Sequence, residues 1–353
     1  MFRRTIAQSK TVLRNLIWRA EVERYRWLSG MPSWKGAVAI NLQPIRSAWG
    51  GGNQWARQIV RFLIAQGYRV RFDLKSKVEL IIMADPRIAG LIRFGPEEIE
   101  AYKKKYPQTL CLHRINECDK RKSTNGMDKM LQEANRLADF TVFISQWLSE
   151  YHAERWFDRG KPHCVVYNGA DPAIFHPIRS NVYTENKPFR IVTHHWSDNW
   201  NKGFKTYQEL DRLIAGGELS DTEFWVIGRW PKNLQWQTAK TFGPTQGLSL
   251  ANLLRQCHVY ITASLWEPGG MHHIEGAQCG LPIIYHEEGG GIVEGASQYG
   301  VGLRNNIKEA VQEARENYPD LRSKVLRYSP SGTKMCHEYV RIIQRLIAEK
   351  EAL

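Results

Sequence analysis

The sequence predicts an α/β protein with two domains, each built on a parallel sheet covered by helices. The chain has 353 residues, which is more than one compact core usually holds. From Lys35 onward, short apolar runs alternate with longer amphipathic stretches, and this alternation occurs twice. Between the halves lies Asn168–Pro188, a Pro-, Asn- and Asp-rich segment without a periodic apolar face. The pattern therefore predicts two Rossmann-like domains joined by a linker.

The first half contains six apolar runs with the length and composition of buried parallel strands. They are Ala37–Leu42, Tyr68–Leu74, Val78–Met83, Thr109–Arg114, Phe140–Ile144 and His163–Tyr167. Four stretches between them have the apolar spacing of helices. They are Asn53–Gln66, Pro96–Tyr106, Asp128–Ala138 and Gln146–Trp156. We expect an N-terminal Rossmann-like domain over 35–177.

The second half repeats the alternation over 178–330. Its predicted strands are Phe189–His194, Glu223–Ile227, His258–Thr262 and Leu281–His286. Its predicted helices are Phe204–Ala215, Leu248–Gln256 and His272–Cys279. A last helix, Lys334–Lys350 within 331–353, has its apolar residues on one face. The pattern alone does not identify the surface that this helix packs against.

Composition narrows the class of protein. A hydrophobic share of 42% is ordinary for a globular chain, and no run of 18 apolar residues is present to span a bilayer. The formal charge of +13 attracts phosphates, nucleic acids or anionic membrane surfaces without selecting among them. The six cysteines form no Cys-x-x-Cys pair, which fits a reducing cytoplasm better than a disulfide framework or a zinc site.

Residues 1–34 have the pattern of a basic amphipathic helix, without the apolar run of a secretory signal. The basic positions are Arg3, Arg4, Lys10, Arg14, Arg19, Arg24 and Arg26, and the apolar ones include Phe2, Ile6, Leu13, Ile17, Trp18 and Trp27. One interpretation is attachment to an anionic membrane surface. The others are a solvated helix packed on the domain, or an extension upstream of a true start at Met31.

The residues that indicate chemistry lie in 257–294. Gly269 and Gly270 follow a predicted strand and precede a helix, whose first free N–H groups form an anion site suited to a diphosphate. Glu267 lies in the loop and Glu275 lies about a turn and a half into the helix, so both carboxylates face one ligand. Because a carboxylate repels a phosphate, we expect each to bind hydroxyl groups of a sugar or a ribose.

With these residues in place, the chain resembles the retaining glycosyltransferases of the GT-B fold, specifically family 4 (glycosyl transferases group 1). The family's donor-site block stands here as Ser264-Leu-Trp-Glu267-Pro268-Gly-Gly270…Glu275-Gly-Ala-Gln-Cys-Gly280-Leu-Pro282. The resemblance extends to Ser145-Gln-Trp-Leu, Val166-Tyr-Asn168-Gly169-Ala-Asp171, Asn201-Lys202-Gly203 and Gly289-Gly-Gly291…Glu294. It covers nearly the whole chain after residue 35. It implies two Rossmann-like domains facing across a cleft, with the C-terminal helix crossing back to the N-terminal domain.

The resemblance also implies roles for single residues. Glu275 is expected to hold the ribose hydroxyls and Glu267 the donor sugar ring, while Lys202 neutralises the leaving diphosphate. The diphosphate is further expected to contact the backbone of Gly270, Met271 and His272. If the Asn201-Lys202-Gly203 motif were absent, a solvated loop lysine would be the preferred interpretation of Lys202.

In the N-terminal domain, Gly50, Gly51 and Gly52 follow the first predicted strand, and we expect them to form a flexible loop. The resemblance implies that the backbone of Gly51 and Gly52 approaches the donor phosphate, and a plain strand-to-helix turn is the alternative. It also assigns His113 a position close to the sugar, although an isolated histidine is more often structural. Arg114 and Asn116 are the expected acceptor-side groups, or else hydrogen-bonding loop residues.

One departure from the family pattern concerns the diphosphate. The family usually has an arginine a few residues before the lysine, whereas His194-His-Trp-Ser-Asp-Asn-Trp200 contains none. Arg229, just after a predicted strand, is the candidate to replace it. The paired histidines at 194–195 and 272–273 suggest a metal, but neighbouring residues point to different sides and each pair offers one ligand at best. We therefore expect neither a metal nor another cofactor.

The resemblance, together with these residues, implies a retaining, metal-independent glycosyltransferase that moves a hexosyl-type sugar from a nucleotide-diphosphate sugar to a carbohydrate, lipid-linked or other hydroxyl acceptor. The alternatives are a nucleotide-sugar epimerase or phosphorylase of the same fold, a catalytically inactive family member, or a protein that binds a membrane surface or a nucleic acid. Nucleic acid is not the expected partner, because 257–294 contains no Lys or Arg. The expected location is cytoplasmic, and peripheral on the inner face of the membrane if residues 1–34 bind lipid.

Overall fold

The structure, a computed structural model, describes residues 18, 20–47, 49–178, 182–304, 306–328 and 331–352. Its first sheet is parallel and has the strand order β2-β1-β3-β4-β5-β6. The strands are β1 (Gly36–Ile40), β2 (Tyr68–Arg71), β3 (Leu80–Met83), β4 (Leu110–Ile115), β5 (Phe140–Phe143) and β6 (His163–Val165). All six predicted strands of this half are present. Each differs from its predicted bounds only at the ends, because backbone hydrogen bonding, and not hydrophobicity, determines where a strand begins and ends.

The helices of this half are α1 (Gly50–Ala65), α2 (Pro96–Lys105), α3 (Asp119–Lys122), α4 (Met127–Asn135) and α5 (Gln146–Ala153). The short helix α3 was not predicted, because Asp-Lys-Arg-Lys has no apolar face. Gly50, Gly51 and Gly52 form the first turn of α1, so the flexible loop expected there is wrong. The helix begins three residues before its first predicted residue. The prediction left these glycines out because glycine has a low helix propensity.

The second sheet is also parallel, with the order β12-β11-β10-β7-β8-β9. Counted within the domain, this is the Rossmann order 3-2-1-4-5-6. The strands are β7 (Phe189–His195), β8 (Thr222–Gly228), β9 (Lys240–Phe242), β10 (Val259–Thr262), β11 (Ile283–His286) and β12 (Gly300–Leu303). Strands β9 and β12 were not predicted, because β9 is a largely exposed edge strand and β12 contains two glycines.

Among the described residues from 200 to 328 there are six helices and one 3₁₀ turn. The turn is Trp200–Lys202, and the helices are α6 (Phe204–Ala215), α7 (Gly247–Leu254), α8 (Met271–Gln278), α9 (Gly291–Ala296), α10 (Ile307–Glu316) and α11 (Tyr318–Arg327). The predicted linker contains no helix or strand in its described residues, 168–178 and 182–188.

Helices cover both faces of each sheet, which requires strands that are apolar on both sides. In β1, Val38 and Ile40 belong to one apolar core while Ala39 belongs to another on the opposite face. Strand β3 alternates in the same way, with Ile82 on the first core and Ile81 on the second. The continuous apolar runs in the sequence are the direct consequence of this two-sided burial.

The last helix, α12 (Gly332–Glu351), crosses back to the N-terminal domain, as expected. Its buried residues Tyr339 and Ile343 join the core that contains Trp55 and Ile59 of α1. The rings of Tyr339 and Trp55 meet edge to face with centroids 5.6 Å apart. The two parallel-sheet domains and the returning C-terminal helix predicted from the sequence are therefore confirmed.

Residues 20–28 are helical and rest on the N-terminal domain. Trp18, Val22 and Tyr25 pack against its core, and the Trp18 ring lies 4.9 Å from that of Phe72. This part of the predicted amphipathic helix thus packs on the domain. The basic residues Arg3, Arg4, Lys10, Arg14 and Arg19 lie outside the described residues. Within the described part of the chain, no helix is both long and apolar enough to cross a membrane.

Candidate active site

A cleft of about 480 Å³ opens between the carboxyl ends of the two sheets. Open α/β sheets bind ligands at this end, where the strand order reverses. Loops after β1 and β4 form one wall, and loops after β7 and β10 form the other. Eleven of the predicted site residues line the cleft: Gly51, Gly52, Arg114, Asn116, Lys202, Arg229, Glu267, Gly270, Met271, His272 and Glu275.

Two helix N-termini face this cleft from opposite domains. Helix α1 begins after Trp49 and helix α8 begins after Gly270, and neither receives a side-chain cap. The two starts approach closely, because a Cβ on Gly51 would lie 2.9 Å from Cγ of Met271. Uncapped N–H groups and helix dipoles favour negative charge, so the junction is suited to a phosphate-bearing ligand.

Glu267 lies between two cations that come from different domains. Lys202 Nζ donates to its Oε2, and Arg121 Nη2 forms an ion pair with its Oε1 at 3.0 Å. Burial alone raises the pKa of this carboxyl, but the charges of Arg121 and Lys202 outweigh burial and lower the pKa to about 2. Glu267 is therefore ionised, which makes it unsuited to act as a general acid.

Glu275 lies on α8, one carboxylate oxygen paired with a histidine of β7. The distance from Glu275 Oε2 to His194 Nε2 is 2.8 Å, and both side chains are nearly buried. The sequence did not predict this pair, since 81 residues separate its members. The contact fixes the carboxylate at the cleft wall, where hydroxyl donors of a ligand can reach it.

The other histidines of this region are neutral. Burial lowers the pKa of His195 and of His272 well below the usual value, and the charge of Lys202 adds to the effect. His195 Nε2 lies 2.9 Å from the Tyr207 hydroxyl, and His272 Nε2 lies 3.1 Å from Thr262 Oγ1. The rings thus bind separate partners. No cluster of three or more His, Cys, Asp or Glu arranged for a metal occurs among the residues that the structure describes.

His113 is not at the cleft, which corrects its expected position near the sugar. Its ring is fully buried, and Nδ1 lies 3.1 Å from Asn135 Nδ2 of α4. Side chains alternate along a strand, so Arg114 faces the cleft while His113 faces the helix on the other side. Burial lowers the pKa of His113 to about 3. It is a neutral core residue.

Arg114 lies at the base of the cleft with 2% of its surface exposed. Its Nη2 donates to Asn168 Oδ1 at 3.0 Å, and its guanidinium lies 4.4 Å from the Trp55 ring centroid. Asn168 in turn donates to the Gly269 carbonyl at 2.7 Å. Arg114 therefore supports the linker and the loop before α8, and its burial leaves little of its surface for a ligand.

Arg229, the candidate to replace the missing arginine, lies at the rim. Its side chain is exposed, and its guanidinium lies 4.3 Å from the Trp196 ring centroid. The Trp196 ring lies 6.4 Å from that of Trp49 across the cleft. Arg229 thus belongs to an aromatic rim rather than to the group of charges around Glu267.

Sequence reasoning missed the charged residues that follow β4. Arg121 and Lys122 line the cleft, and both contact Glu117, Arg121 at 2.9 Å and Lys122 at 3.2 Å. The signal was available, because a run of four charged residues, Asp119-Lys-Arg-Lys122, follows soon after a strand end. Pro244, Thr245, Gln246 and Leu250 also line the cleft, although nothing in their sequence suggests a ligand contact.

The comparisons with known proteins agree with this geometry. Residues 200–317 match the family model described as glycosyl transferases group 1. The matched segment contains Lys202, Arg229, Glu267 and Glu275, which line the cleft from the C-terminal domain. A sequence comparison with curated proteins finds no match.

Solved structures share the fold over nearly the whole chain. Sucrose-phosphate synthase from Thermosynechococcus elongatus aligns with a TM-score of 0.64 at 15% identity, covering 89% of this chain and 99% of that one. HepE from Anabaena, in complex with UDP and glucose, aligns with a TM-score of 0.60 at 13% identity, covering 87% and 99%. WaaG, a glycosyltransferase involved in lipopolysaccharide biosynthesis, aligns with a TM-score of 0.56 at 11% identity, covering 83% and 94%. These likenesses establish the GT-B fold.

Proposed function

We propose that the chain is a retaining glycosyltransferase that moves a hexosyl-type sugar from a nucleotide-diphosphate sugar to a hydroxyl acceptor, without a metal ion. One observation carries the proposal. The free N–H groups of α1 and α8 meet at a cleft that also contains Lys202 and the two carboxylates Glu267 and Glu275. This combination provides an anion site beside two carboxylates that accept hydrogen bonds from hydroxyl groups. A nucleotide-diphosphate sugar requires both.

In the proposed mechanism, the bond between the anomeric carbon and the phosphate oxygen breaks, and the diphosphate keeps the electron pair. Lys202 and the helix N-termini stabilise this growing charge. The acceptor hydroxyl attacks the same face of the sugar, and its proton passes to the departing phosphate oxygen. Because Glu267 has a pKa of about 2, it is a poor base and serves to hold the sugar ring.

The residues divide between the two substrates. Glu275 holds the ribose, and Gly51, Gly52, Gly270, Met271 and His272 provide the backbone around the diphosphate. The acceptor, a carbohydrate or a lipid-linked glycan, enters from the N-terminal domain near Asn116. Attachment to an anionic membrane through the basic residues that precede the packed helix 20–28 remains part of this proposal, since a peripheral enzyme would meet lipid-linked acceptors at that surface.

A panel of UDP, GDP, ADP and CDP in thermal unfolding tests the donor site. A nucleotide at about 100 times its Kd adds roughly 2.7 kcal/mol to the free energy of unfolding, which raises Tm by several degrees. The nucleotide that binds then selects the sugar donors to assay, and NMR of the product gives the anomeric configuration. If no nucleotide raises Tm, the chain does not bind a nucleotide sugar and the proposal fails. Loss of transfer after EDTA treatment would contradict metal independence.

A further inference from the structure

We propose that Arg121, on the N-terminal domain, is a second cation for the leaving diphosphate, so that the charge-stabilising group is complete only when the domains close. This inference rests on the proposed function and adds a catalytic residue to it. Arg121 and Lys202 contact the two oxygens of a single carboxylate, Glu267, from opposite sides of the cleft. Both cations therefore lie within direct contact distance of the same carboxylate.

The position of Arg121 next to the diphosphate site follows from the chain itself. Glu267 precedes Gly270, the residue before the first turn of α8, by three residues. Arg121, Lys202, Gly270 and Met271 all line the same cleft. A ligand whose phosphates meet the start of α8 thus lies within reach of the Arg121 guanidinium, whose planar fork of donors matches a phosphate.

Charge balance supports an anionic ligand at this point. Arg121, Lys122 and Lys202 are three cations, whereas only two carboxylates, Glu117 and Glu267, contact them among the described residues. His195 and His272 add no charge, because burial lowers the pKa of each well below the usual value. The site therefore holds an excess positive charge that an added diphosphate would neutralise.

Hydrogen bonds hold the backbone around Arg121 in place. The carboxylate of Asp119 accepts backbone N–H groups from Gly126 at 3.1 Å, Met127 at 2.9 Å and Asp128 at 3.0 Å, which fixes the loop after α3. Asn201 Nδ2, next to Lys202, donates to the Arg121 carbonyl at 3.1 Å. Helix α3, which contains Arg121, and the 3₁₀ turn that contains Lys202 are thus held against each other across the cleft.

An alternative is that Arg121 only fastens the domains together. Lys120 provides the matched control, because its Nζ lies 5.1 Å from the Trp266 ring centroid across the same interface, and it does not line the cleft. A residue that merely fastens the domains should behave like Lys120. A residue that touches the diphosphate should discriminate between ligands with and without that group.

The experiment compares wild type, Arg121→Ala, Arg121→Lys and Lys120→Ala by calorimetric titration with the nucleoside diphosphate that binds wild type and with the corresponding nucleoside. We expect Arg121→Ala to weaken diphosphate binding by about tenfold or more and to leave nucleoside binding within about twofold. In the transfer reaction, kcat should fall by about 10²-fold, and Arg121→Lys should recover part of it. Added guanidinium should partly restore kcat in Arg121→Ala. Lys120→Ala should resemble wild type in all assays.

The outcomes separate the two proposals. If wild type binds no nucleoside diphosphate, the proposed function fails and this inference fails with it. If wild type binds one but Arg121→Ala binds it equally well, only the role of Arg121 is wrong. An equal loss for nucleoside and diphosphate, or the same loss in Lys120→Ala, would make Arg121 an interdomain fastening. Thermal unfolding of each variant checks folding, and Arg121→Lys decides the question should Arg121→Ala fail to fold.

Discussion

Glu294 Oε1 accepts a hydrogen bond from the backbone N–H of Trp147 at 2.7 Å, which joins the C-terminal domain to the first turn of α5 in the N-terminal domain. Its Oε2 accepts from the Gln146 N–H at 3.0 Å and from the Tyr167 hydroxyl at 2.8 Å. A carboxylate at a helix N-terminus accepts hydrogen bonds from the free backbone N–H groups and interacts favourably with the positive end of the helix dipole. Glu294 therefore fastens the domains on the side of the linker.

Glu294→Ala should loosen the domains. Loss of the carboxylate leaves two N–H groups and a hydroxyl without their partner, so the free energy of unfolding should fall by about 1–2 kcal/mol. Small-angle scattering should show a larger radius of gyration, and urea unfolding should show the lower stability. Glu287→Ala, which removes a largely exposed carboxylate of the same segment, is the control. An unchanged radius in Glu294→Ala would mean that other contacts hold the cleft closed.

Gly51→Ala should reduce transfer without unfolding the protein. Alanine improves helix propensity by up to about 1 kcal/mol at an interior position, but its Cβ would meet Met271 at the junction of the two helix starts. The double variant Gly51→Ala/Met271→Ala removes the Cγ contact at 2.9 Å, leaves the Met271 Cβ at 3.3 Å, and should regain activity. Steady-state rates and Tm of both variants decide. If the single variant is fully active, close approach of the helix starts is not needed for transfer.

Lys202→Ala should slow transfer far more than it weakens donor binding. The charge on the diphosphate grows as the sugar bond breaks, so the lysine acts most strongly in the transition state, and kcat should fall by about 10²- to 10³-fold. Glu267 keeps one cation, Arg121, and the fold should survive. Lys205→Ala, on the exposed side of α6, is the control. Equal kcat in wild type and Lys202→Ala would remove this lysine from the mechanism.

The sequence predicted the two sheets because strands buried on both faces appear as continuous apolar runs. It also grouped Glu267, Gly270 and Glu275, which lie close together in the chain and line one cleft in the structure. It missed what arises from distant segments. The partnership of Arg121 with Glu267 and that of His194 with Glu275 exist only after the domains and strands assemble. His113 was misplaced for a simpler reason, since residue type does not reveal which face of a strand a side chain occupies.

Glu275→Gln should weaken nucleotide binding by about tenfold, because a neutral amide accepts a weaker hydrogen bond than a carboxylate. The specific test uses 2′-deoxy and 3′-deoxy nucleotides. Wild type should bind the ribonucleotide more tightly than either deoxy analogue, and this difference should shrink in Glu275→Gln if the carboxylate holds the ribose. A preference for ribose that is undiminished in the variant would assign Glu275 to another contact, such as positioning of His194.

The pH dependence of stability should reveal His113 as a core residue. Its pKa is about 3 in the folded protein, against the usual value of about 6.5 in the unfolded chain. Below pH 6.5 the unfolded state binds a proton that the folded state does not, so stability falls as the pH falls. At pH 5 this costs about 2 kcal/mol relative to neutral pH.

His113→Gln removes this titration, so its unfolding free energy should depend less on pH between 7.5 and 5.0, although it is lower than wild type at 7.5. Urea unfolding at both pH values measures the difference, and exposed His337→Gln should keep the wild-type dependence. Because His113 lies behind the strand, kcat of the variant at pH 7.5 should stay within about twofold of wild type. A large loss of kcat together with native-like stability would return His113 to the reacting site, and its side chain would then have to reach the cleft through a rearrangement of β4.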